Sequence, residues 1–413
     1  MKFFTKSTLA LAAAACMCGG VQAQYQLPNA GFEGEWQLEQ TRGTSGYTSD
    51  AAANWNSFLT AQTNSMTDMA FGIGMFIKPQ AGTSWRSGDA VEGSYSMLIV
   101  SKQNLLGSVS NGNLTTGRIN MGETTAAGAE NYNFTDLEDE QYNQTFAGLP
   151  DSIVLWVKFL PQNPGDSASV NSILHKAYNY KEPHATDEEQ AEYRIGGAYS
   201  CIEYVGREWQ RVSVPYIYDA ANMDYDGQKY LLLSITTNRN PGKGGDADSL
   251  FVDDVQMVYN SELAYVEVGG EQYAVPAGAT EFNVPVPYSS DVRFVANGVG
   301  ATVEAAGIDG RTDSYAVTVR GNDYAENSEN YTVYTVNFQT TTGISNVSAA
   351  AASGVTVRNI SGGVELTAEQ TTTVTVYTLD ARLVGIYTVQ EGVQTINLPA
   401  GFYIIAGKKV VVW

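Results

Sequence analysis

Short segments that are either continuously apolar or apolar at every second position recur along the whole chain, separated by turn-forming residues. Residues 153–160 and 230–235 are apolar runs of strand length, as expected for strands that are buried on both faces. In residues 211–218 apolar and polar side chains alternate, which predicts a strand with one buried face. No long segment has helical periodicity. The sequence therefore predicts an all-β chain built from β-sandwiches.

Composition excludes several classes of function. The 413 residues carry 23 Lys and Arg against 44 Asp and Glu, a net charge of −21. This charge repels nucleic acids and anionic membrane surfaces. With 25 Tyr, 41 Gly and only 16% charged residues, the composition favours a secreted β-protein. The two histidines, His175 and His184, share no metal-ligand spacing, so a zinc hydrolase of the HExxH kind is excluded.

Residues 1–23 have the pattern of a secretory signal peptide. Lys2 and Lys6 form a positive start, and residues 9–18 form an apolar segment. A small-residue cleavage site follows, which places the start of the mature chain near Gln24. No other apolar run approaches the ~20 residues that a membrane-spanning helix needs. We therefore expect an exported protein without a transmembrane segment.

The cysteines leave one alternative open. A lipoprotein signal could end at Cys16 or Cys18, which would attach the mature protein to a membrane through a lipid. With the signal removed, Cys201 is the one cysteine left, and the mature chain then has no internal disulfide. We expect its stability to come from β-cores or from a bound ion.

The mature chain divides into three predicted domains. Residues 24–260 form the largest. After Tyr259 the pattern of apolar residues changes. Residues 261–341 and 342–413 form two smaller units, each with segments in which apolar and polar residues alternate. Units of about 70 to 80 residues are close to the lower limit for an independent core. The smaller units are typical of immunoglobulin-like modules that present or position another domain.

The first domain carries an ordered series of motifs. It opens with Asn-Ala-Gly-Phe-Glu at residues 29–33 and closes with Leu-Phe-Val-Asp-Asp-Val at residues 250–255. Between them lie Gly-Asn-Leu-Thr-Thr-Gly-Arg (112–118), Phe-Ala-Gly-Leu-Pro (146–150), Val-Pro-Tyr-Ile-Tyr (214–218) and Gly-Gly-Asp (244–246).

This series resembles the family named "putative carbohydrate metabolism domain", found in secreted proteins of Bacteroidota, and the jelly-roll carbohydrate-binding modules. The resemblance covers roughly residues 27–260 and implies a jelly-roll β-sandwich in a glycan-related protein, with its first and last strands side by side. Thr115 and Thr116 stand where the family pattern has an aromatic residue after Asn-Leu. If that aromatic contacts ligand in relatives, the groove of this chain differs.

Aromatic rings are candidate sugar contacts, because the C–H face of a pyranose stacks on a π-face. Trp156 lies inside a continuous apolar run, which predicts a core position. Trp55 and Trp85 lie in polar, loop-like sequence that also holds Asn54 and Arg86. We therefore predict Trp55, Trp85, Arg86 and Asn54 as ligand-binding residues. The alternative is that the two tryptophans are buried and only structural.

Glu33 and Asp253 suggest a structural calcium ion. In the jelly-roll modules that the chain resembles, a carboxylate of the first strand and one of the closing Asp pair hold calcium. Calcium takes six to eight oxygen ligands, so carbonyls and water would have to complete the shell. The alternative is that Asp253 or Asp254 caps a loop or pairs with an arginine.

Catalytic motifs are absent from the sequence. Glycosidases need two carboxylates on either side of one bond, and among 44 acidic residues the sequence singles out no pair. No GxSxG, P-loop or Cys-His pattern occurs. The sequence therefore favours a non-catalytic protein that binds a polysaccharide or oligosaccharide. A glycan-acting hydrolase and a structural or adhesive surface protein are the alternatives.

The C-terminal units resemble known modules. Residues 262–340 resemble cadherin-like or immunoglobulin-like repeats of bacterial surface proteins through the segment Tyr-Thr-Val-Tyr-Thr-Val-Asn-Phe at 331–338. Residues 343–413 resemble the C-terminal sorting domain of the type IX (Por) secretion system. The resemblance implies recognition by export machinery and a final position outside the cell or on the outer-membrane surface, with the periplasm as alternative. Ala381, where the family has Gly, and the terminal Trp413 depart from it, so a plain third sandwich is the alternative.

Overall fold

The computed structural model describes residues 24–42, 47–72, 84–103, 107–183, 188–339, 354–360, 362–378 and 382–412. The predicted signal peptide, with Cys16 and Cys18, lies outside these ranges. Strands account for 52% of the chain and helices for 3%, which confirms the all-β prediction. The chain divides into two compact units, Met1–Phe282 with Asp291–Val336, and Asn283–Ser290 with Asn337–Trp413. The three predicted domain boundaries stay predictions.

The first unit begins with nineteen strands in the described residues. They are β1 (Trp36–Arg42), β2 (Tyr47–Ala52), β3 (Gln62–Thr63), β4 (Ser84–Ser87), β5 (Ser96–Val100), β6 (Lys102–Gln103), β7 (Val109–Ser110), β8 (Asn113–Thr115), β9 (Arg118–Met121), β10 (Asn131–Phe134), β11 (Thr145–Phe146), β12 (Ser152–Leu160), β13 (Ser167–His175), β14 (Lys181–Glu182), β15 (Arg194–Glu203), β16 (Gln210–Pro215), β17 (Ile217–Tyr218), β18 (Lys229–Thr236) and β19 (Ser249–Val258). Two short helices, α1 (Ser65–Gly72) and α2 (Glu188–Ala191), and a 3₁₀ helix (Phe58–Thr60) complete this part.

Two large sheets pack face to face. One has the strand order β16-β12-β19-β5-β4, and the other has the order β11-β18-β13-β15-β17, with β8 also paired to β18. Alternate side chains of β12, which include Ile153 and Leu155, point inward and are fully buried against Val170 and Leu233 of the other sheet. Smaller sheets, β1-β2, β14-β10-β9-β3 and β6-β7, flank this sandwich.

The strand predictions hold, with one difference. The runs at 153–160 and 230–235 form β12 and β18. Residues 211–218, predicted as a single strand, instead change sheets: β16 pairs with β12, and β17 pairs with β15. Tyr216 lies between them and its hydroxyl is 2.5 Å from that of Ser172. The buried face continues across the break, which is why the alternation in the sequence does not reveal it.

The opening motif is a turn rather than a strand. Asn29 and Phe32 have positive φ values of 50° and 57°, and Phe32 is fully buried. The turn lies beside β19, because the amide of Val255 donates to the carbonyl of Ala30 at 3.0 Å. The two ends of the sandwich are therefore adjacent, as expected, but the motif does not extend the sheet.

The next strands are β20 (Leu263–Val268), β21 (Glu271–Ala274), β22 (Glu281–Val284), β23 (Val292–Ala296), β24 (Thr302–Gly307), β25 (Ser314–Arg320) and β26 (Tyr331–Phe338). They form sheets of order β21-β20-β23 and β22-β26-β25-β24. Asp151 of the first sandwich accepts hydrogen bonds from the amides of Asn260 (2.6 Å) and Val299 (2.8 Å). Asn322 accepts another from the amide of Leu149 at 2.7 Å. These bonds join the first sandwich to the strands that follow it.

The second unit contains β27 (Val355–Ile360), β28 (Gly363–Ala368), β29 (Thr372–Thr378), β30 (Leu383–Val389), β31 (Gly392–Asn397), β32 (Gly401–Ile405) and β33 (Lys408–Val412). Their sheets have the orders β27-β28-β31 and β30-β29-β32-β33. Val364, Leu366, Val376 and Ile405 are fully buried in the core between them. Among the described residues, no helix is long and apolar enough to cross a membrane.

Candidate functional site

The outer face of the six-stranded sheet carries two rows of mainly polar side chains. Directly paired residues of antiparallel strands project from the same face. The register therefore aligns Tyr199, Asn171 and Ser234 in one row, and Cys201, Ser169, Thr236 and Asn113 in the next. The two rows form a polar floor that crosses β15, β13, β18 and β8.

Two walls turn this floor into a groove that encloses a cavity of ≈ 170 Å³. One wall comes from β9, β10 and β14, and the other from the segment after β18. The groove is lined by Phe58, Ser110, Asn111, Asn113, Ile119, Asn120, Met121, Glu123, Thr124, Ala126, Asn131, Tyr132, Asn133, Ser169, Asn171, Glu182, Pro183, Tyr199, Ser234, Thr236, Asn238, Arg239 and Pro241. Amide and hydroxyl groups predominate over charged groups in this lining.

Hydrogen bonds fix the polar groups of the floor and wall. Asn113 Nδ2 donates to Asn133 Oδ1 at 2.9 Å, and Asn133 Nδ2 donates to Ser234 Oγ at 2.7 Å. The hydroxyls of Ser169 and Thr236 are 2.9 Å apart. Such a network holds its side chains in place before any ligand arrives.

The motif at 112–118 positions β8 under this network. A Cβ atom at Gly112 would lie 2.6 Å from the amide nitrogen of Val100, and one at Gly117 would lie 2.4 Å from the carbonyl oxygen of Phe134. Both positions therefore require glycine, because the neighbouring atoms belong to the backbone. Thr116, where an aromatic was expected, is 4% exposed. Its hydroxyl donates to the carbonyl of Leu231 at 2.8 Å, so it anchors the motif to β18.

Two tyrosines supply aromatic surface. Tyr199 is 57% exposed at the edge of the floor, and Tyr132 lies on β10 with the ammonium of Lys181 4.8 Å from its ring centroid. The Tyr199 hydroxyl is 3.5 Å from Cys201 Sγ. This hydrogen bond, together with burial, raises the pKa of Tyr199 to about 12, so the hydroxyl stays neutral and can donate.

Burial also changes the acidity of the Glu182 carboxyl group in the groove. Burial raises the pKa of Glu182 to about 7, against the smaller opposing effects of a hydrogen bond from Asn171 and the charge of Arg194. Glu182 Oε2 is buried and has no hydrogen-bond partner among the described residues, and the same holds for Asn111 Oδ1. Glu123 is the other carboxylate of the lining.

Trp55 belongs to the core rather than to a ligand-binding loop. It is 4% exposed, its indole N–H donates to the carbonyl of Asn29 at 3.0 Å, and its ring centroid is 5.2 Å from that of Phe32. Trp55 is therefore buried, which is the alternative that the sequence left open, although its neighbours in sequence are polar. Asn54 is exposed in that turn with φ 69°.

Trp85 and Arg86 lie on the opposite side of the sandwich from the groove. Trp85 is half-buried on β4 and pairs with Leu98, on the outer face of the five-stranded sheet. Arg86 lies 4.5 Å from the ring centroid of Tyr95. Trp156, expected in the core, is half-buried and faces outward on the same sheet. The four predicted ligand-binding residues therefore do not line the groove, and their contact with a ligand stays a prediction.

Glu33 and Asp253 anchor one loop. Asp253 is fully buried. Its Oδ2 accepts from the amides of Val91 (2.7 Å) and Glu92 (3.2 Å), and its Oδ1 accepts from the amide of Asp254 (2.8 Å). Glu33 Oε1 accepts from the amides of Ser94 and Tyr95, both at 2.7 Å. These contacts match the alternative given for Asp253, in which its carboxylate caps a loop.

The geometry around these carboxylates does not fit a calcium ion as it stands. Calcium needs converging oxygens, whereas N–H groups are directed at Asp253 and Glu33. Within the described ranges, no cluster of three or more His, Cys, Asp or Glu side chains could hold a metal ion. Calcium at these carboxylates stays a proposal, which the effect of a chelator on the melting temperature tests.

The groove residues were missed by sequence reasoning, although one signal was present. Residues 167–171 of β13 read Ser-Ala-Ser-Val-Asn, an alternation with polar side chains on one face. This pattern predicts a strand with one polar face, and here the polar side chains form the middle of the floor. Nothing in the sequence shows that β8 and β15 complete it, because the pairing is long-range.

No family model and no curated protein matches the chain. It is similar to a putative glycoside hydrolase from Bacteroides thetaiotaomicron, with 14% identity, a TM-score of 0.38 and coverage of 55% of this chain and 71% of that one. A putative glycoside hydrolase from Bacteroides vulgatus has 13% identity and a TM-score of 0.37, covering 54% and 97%.

A carbohydrate-binding module described for specific mannan recognition is also similar, with 12% identity, a TM-score of 0.21 and coverage of 54% of this chain and 98% of that one. Likenesses of this strength carry no argument about function.

Proposed function

We propose that this protein binds a glycan in the groove on the six-stranded sheet. The observation that carries the proposal is the floor of uncharged amide and hydroxyl groups, fixed by the Asn113–Asn133–Ser234 hydrogen bonds and bordered by two tyrosines. Sugars present hydroxyls that both donate and accept, and amide groups can match both roles. The exposed ring of Tyr199 offers an apolar face for the C–H side of a pyranose.

A binding experiment with residues 24–413 tests this proposal. Tyr199→Ala removes the exposed ring, and Asn171→Ala removes an amide from the middle of the floor, so both should weaken retardation in affinity electrophoresis through a polysaccharide gel. Trp85→Ala, on the opposite face, is the control and should bind like the original protein. Equal retardation of all four proteins would overturn the assignment of the groove.

Hydrolysis of the bound glycan is a second candidate function. It is favoured by one observation: Glu123 and Glu182 line the same groove, and burial raises the pKa of Glu182 to about 7, as a general acid requires. Glu182 would give its proton to the glycosidic oxygen as the C–O bond breaks, and a water deprotonated by Glu123 would supply the new hydroxyl.

The release of new reducing ends from a polysaccharide measures hydrolysis directly. A hydrolase releases them from a polysaccharide that the protein binds, and Glu182→Gln should abolish their release without abolishing binding. If the original protein releases none from any bound polysaccharide, the protein is a binding module only.

Export to the cell surface is also part of the proposal. It rests on two sequence patterns, the signal-like residues 1–23 and the resemblance of residues 343–413 to a type IX sorting domain, whose partner would be the export machinery. Deletion of residues 343–413 should leave the protein in the periplasm, as measured by fractionation and surface labelling. Undiminished surface labelling of the truncated protein would contradict the sorting role.

A further inference from the structure

Two buried oxygens in the groove have no protein partner among the described residues: Asn111 Oδ1 and Glu182 Oε2. Buried polar atoms in native proteins are nearly always hydrogen-bonded, and an unpaired one costs about 1–3 kcal/mol. Exchanging the positions of Oδ1 and Nδ2 of Asn111 would not give its oxygen a donor. Nδ2 donates to the carbonyl of Asn238 at 2.6 Å, and the exchange would place two oxygens against each other there. Neither oxygen has a donor in the described part of the chain, so water or a ligand would have to supply one.

Charged groups around Glu182 do not supply them either. Arg194 lies on β15 and lowers the pKa of Glu182 less than burial raises it. The ionisable groups of the lining besides Glu182 are Glu123, Tyr132, Tyr199 and Arg239, and the Arg239 guanidinium donates to Cys201 Sγ at 3.5 Å. No ion pair involving Glu182 occurs in the described ranges. Glu182 is therefore a lining residue of the groove whose carboxyl group has no ion-pair partner in that part of the chain.

We infer that the groove selects an uncharged sugar whose hydroxyl groups pair with the buried oxygens of Asn111 and Glu182 as two anchor points. This inference rests on the proposed function and names the class of its ligand. A hydroxyl group can donate to Asn111 Oδ1, which is an acceptor only. At Glu182 a hydroxyl can donate to the carboxyl or accept from it.

Acidic sugars are selected against by the same geometry. A uronate would bring a carboxylate close to Glu123 and, above about pH 7, close to an ionised Glu182, and like charges in a partly buried site repel. The chain as a whole carries a net charge of −21, which adds to this repulsion at long range. Arg239, the cation of the lining, is exposed, so its attraction for a uronate is screened by solvent.

Binding of an uncharged ligand is coupled to proton uptake by Glu182. A sugar that covers the carboxyl removes its remaining water and favours the neutral form further. The association constant should then be nearly constant below about pH 6 and fall above pH 7 by up to about tenfold per pH unit, the limit for one linked proton. Glu182→Gln presents a neutral amide of the same shape, so its affinity should not change with pH.

Isothermal titration of residues 24–413 between pH 5.5 and 8.5 tests the inference. The probes are soluble neutral polymers (β-glucan, mannan and arabinan) and the acidic polymer polygalacturonate. We expect a neutral polymer to bind with an affinity that falls above pH 7, Glu182→Gln to bind it at every pH, and polygalacturonate not to bind. Glu123→Gln is the matched control and should keep the pH dependence of the original protein, whatever its affinity at pH 6.

The outcomes separate this inference from the proposed function. If no polysaccharide binds at any pH, the proposed function fails. If a neutral polymer binds with the same pH profile in Glu182→Gln and in the original protein, only the role of Glu182 fails. Preferential binding of polygalacturonate would overturn the ligand class, and an unchanged affinity in Asn111→Ala with an unchanged melting temperature would remove that anchor point.

Discussion

Glu182 and His175 are both buried, with opposite effects on their acidity. Burial raises the pKa of Glu182 from 4.5 to about 7 and lowers the pKa of His175 from 6.5 to about 4. The His175 ring lies close to Tyr180, with ring centroids 5.1 Å apart. Its Nδ1 donates to the carbonyl of Lys176 at 2.7 Å, and its Nε2 is 2.9 Å from the hydroxyl of Thr135. Between about pH 4 and pH 7 both side chains are therefore mainly neutral.

These shifts predict the pH dependence of stability, with the sign set by which state binds more protons. Between pH 4.5 and 7 the folded protein holds the Glu182 proton more tightly, so the free energy of unfolding falls as pH rises. Between pH 4 and 6.5 the unfolded protein binds more protons at His175, so the free energy of unfolding rises with pH. The two slopes oppose each other. Glu182→Gln should therefore show a steeper rise in stability from pH 4.5 to 6.5 than the original protein.

Urea unfolding at half-unit steps of pH measures the difference between the two proteins. Other buried carboxyls, such as Asp248, contribute equally to both and cancel. Parallel stability curves for the original protein and Glu182→Gln would show that Glu182 titrates normally in the folded state.

Trp55 and Tyr199 should separate stability from binding. Trp55→Ala removes a buried ring and should cost about 3–5 kcal/mol of stability. Tyr199→Ala removes an exposed ring and should change stability by less than about 1 kcal/mol, while it weakens glycan binding. Chemical denaturation and affinity electrophoresis of both variants measure the two effects. Trp55→Phe, which keeps an aromatic ring, is the control for the cavity and should lose less stability than Trp55→Ala.

At the scale of the element, alternation and apolar runs predicted strands well because burial imposes a period of two on each strand. β12 and β18 were found in this way. The change of sheet at Tyr216 was not, because its ring stays buried while its backbone passes from one sheet to the other. The groove was not predicted either, since its floor depends on the register between β15, β13, β18 and β8, and those pairings leave no mark on the local sequence.

The loop before β5 should depend on Asp253 rather than on Asp254. Asp253→Asn places an NH₂ group against at least one of three backbone amides that now donate to the carboxylate, which should cost about 1–3 kcal/mol of stability. Asp254→Asn is the matched control: Asp254 is half-buried with φ 46°, a conformation that Asn tolerates. Thermal denaturation measures both, and equal losses would contradict the role of Asp253.

Calcium bound at Glu33 and Asp253 would give a different result in the same assay. If the ion is present, a chelator lowers the melting temperature of residues 24–413 and added calcium restores it. If the backbone amides alone satisfy these carboxylates, the chelator has no effect. The geometry described above favours the second outcome, and a fall in melting temperature would establish the ion.

At the scale of the whole molecule, Asp151 joins the first sandwich to strands β20–β26. Its carboxylate accepts amide hydrogen bonds from Asn260 and Val299, and Asn330 Nδ2 donates to the carbonyl of Tyr259 at 2.9 Å. We expect these two parts to unfold in one transition. Asp151→Ala leaves two partly buried amides unpaired, so calorimetry should show a broadened or split transition. Asp166→Ala, on the exposed turn before β13, is the control and should unfold like the original protein.

The central claim is that the groove on the six-stranded sheet binds an uncharged glycan. Affinity electrophoresis of residues 24–413 through gels of neutral and acidic polysaccharides, with Tyr199→Ala and Trp85→Ala run beside the original protein, tests it most directly. We predict retardation by a neutral polysaccharide that Tyr199→Ala loses and Trp85→Ala keeps. Retardation lost in Trp85→Ala and kept in Tyr199→Ala would place the ligand on the five-stranded sheet and contradict the claim.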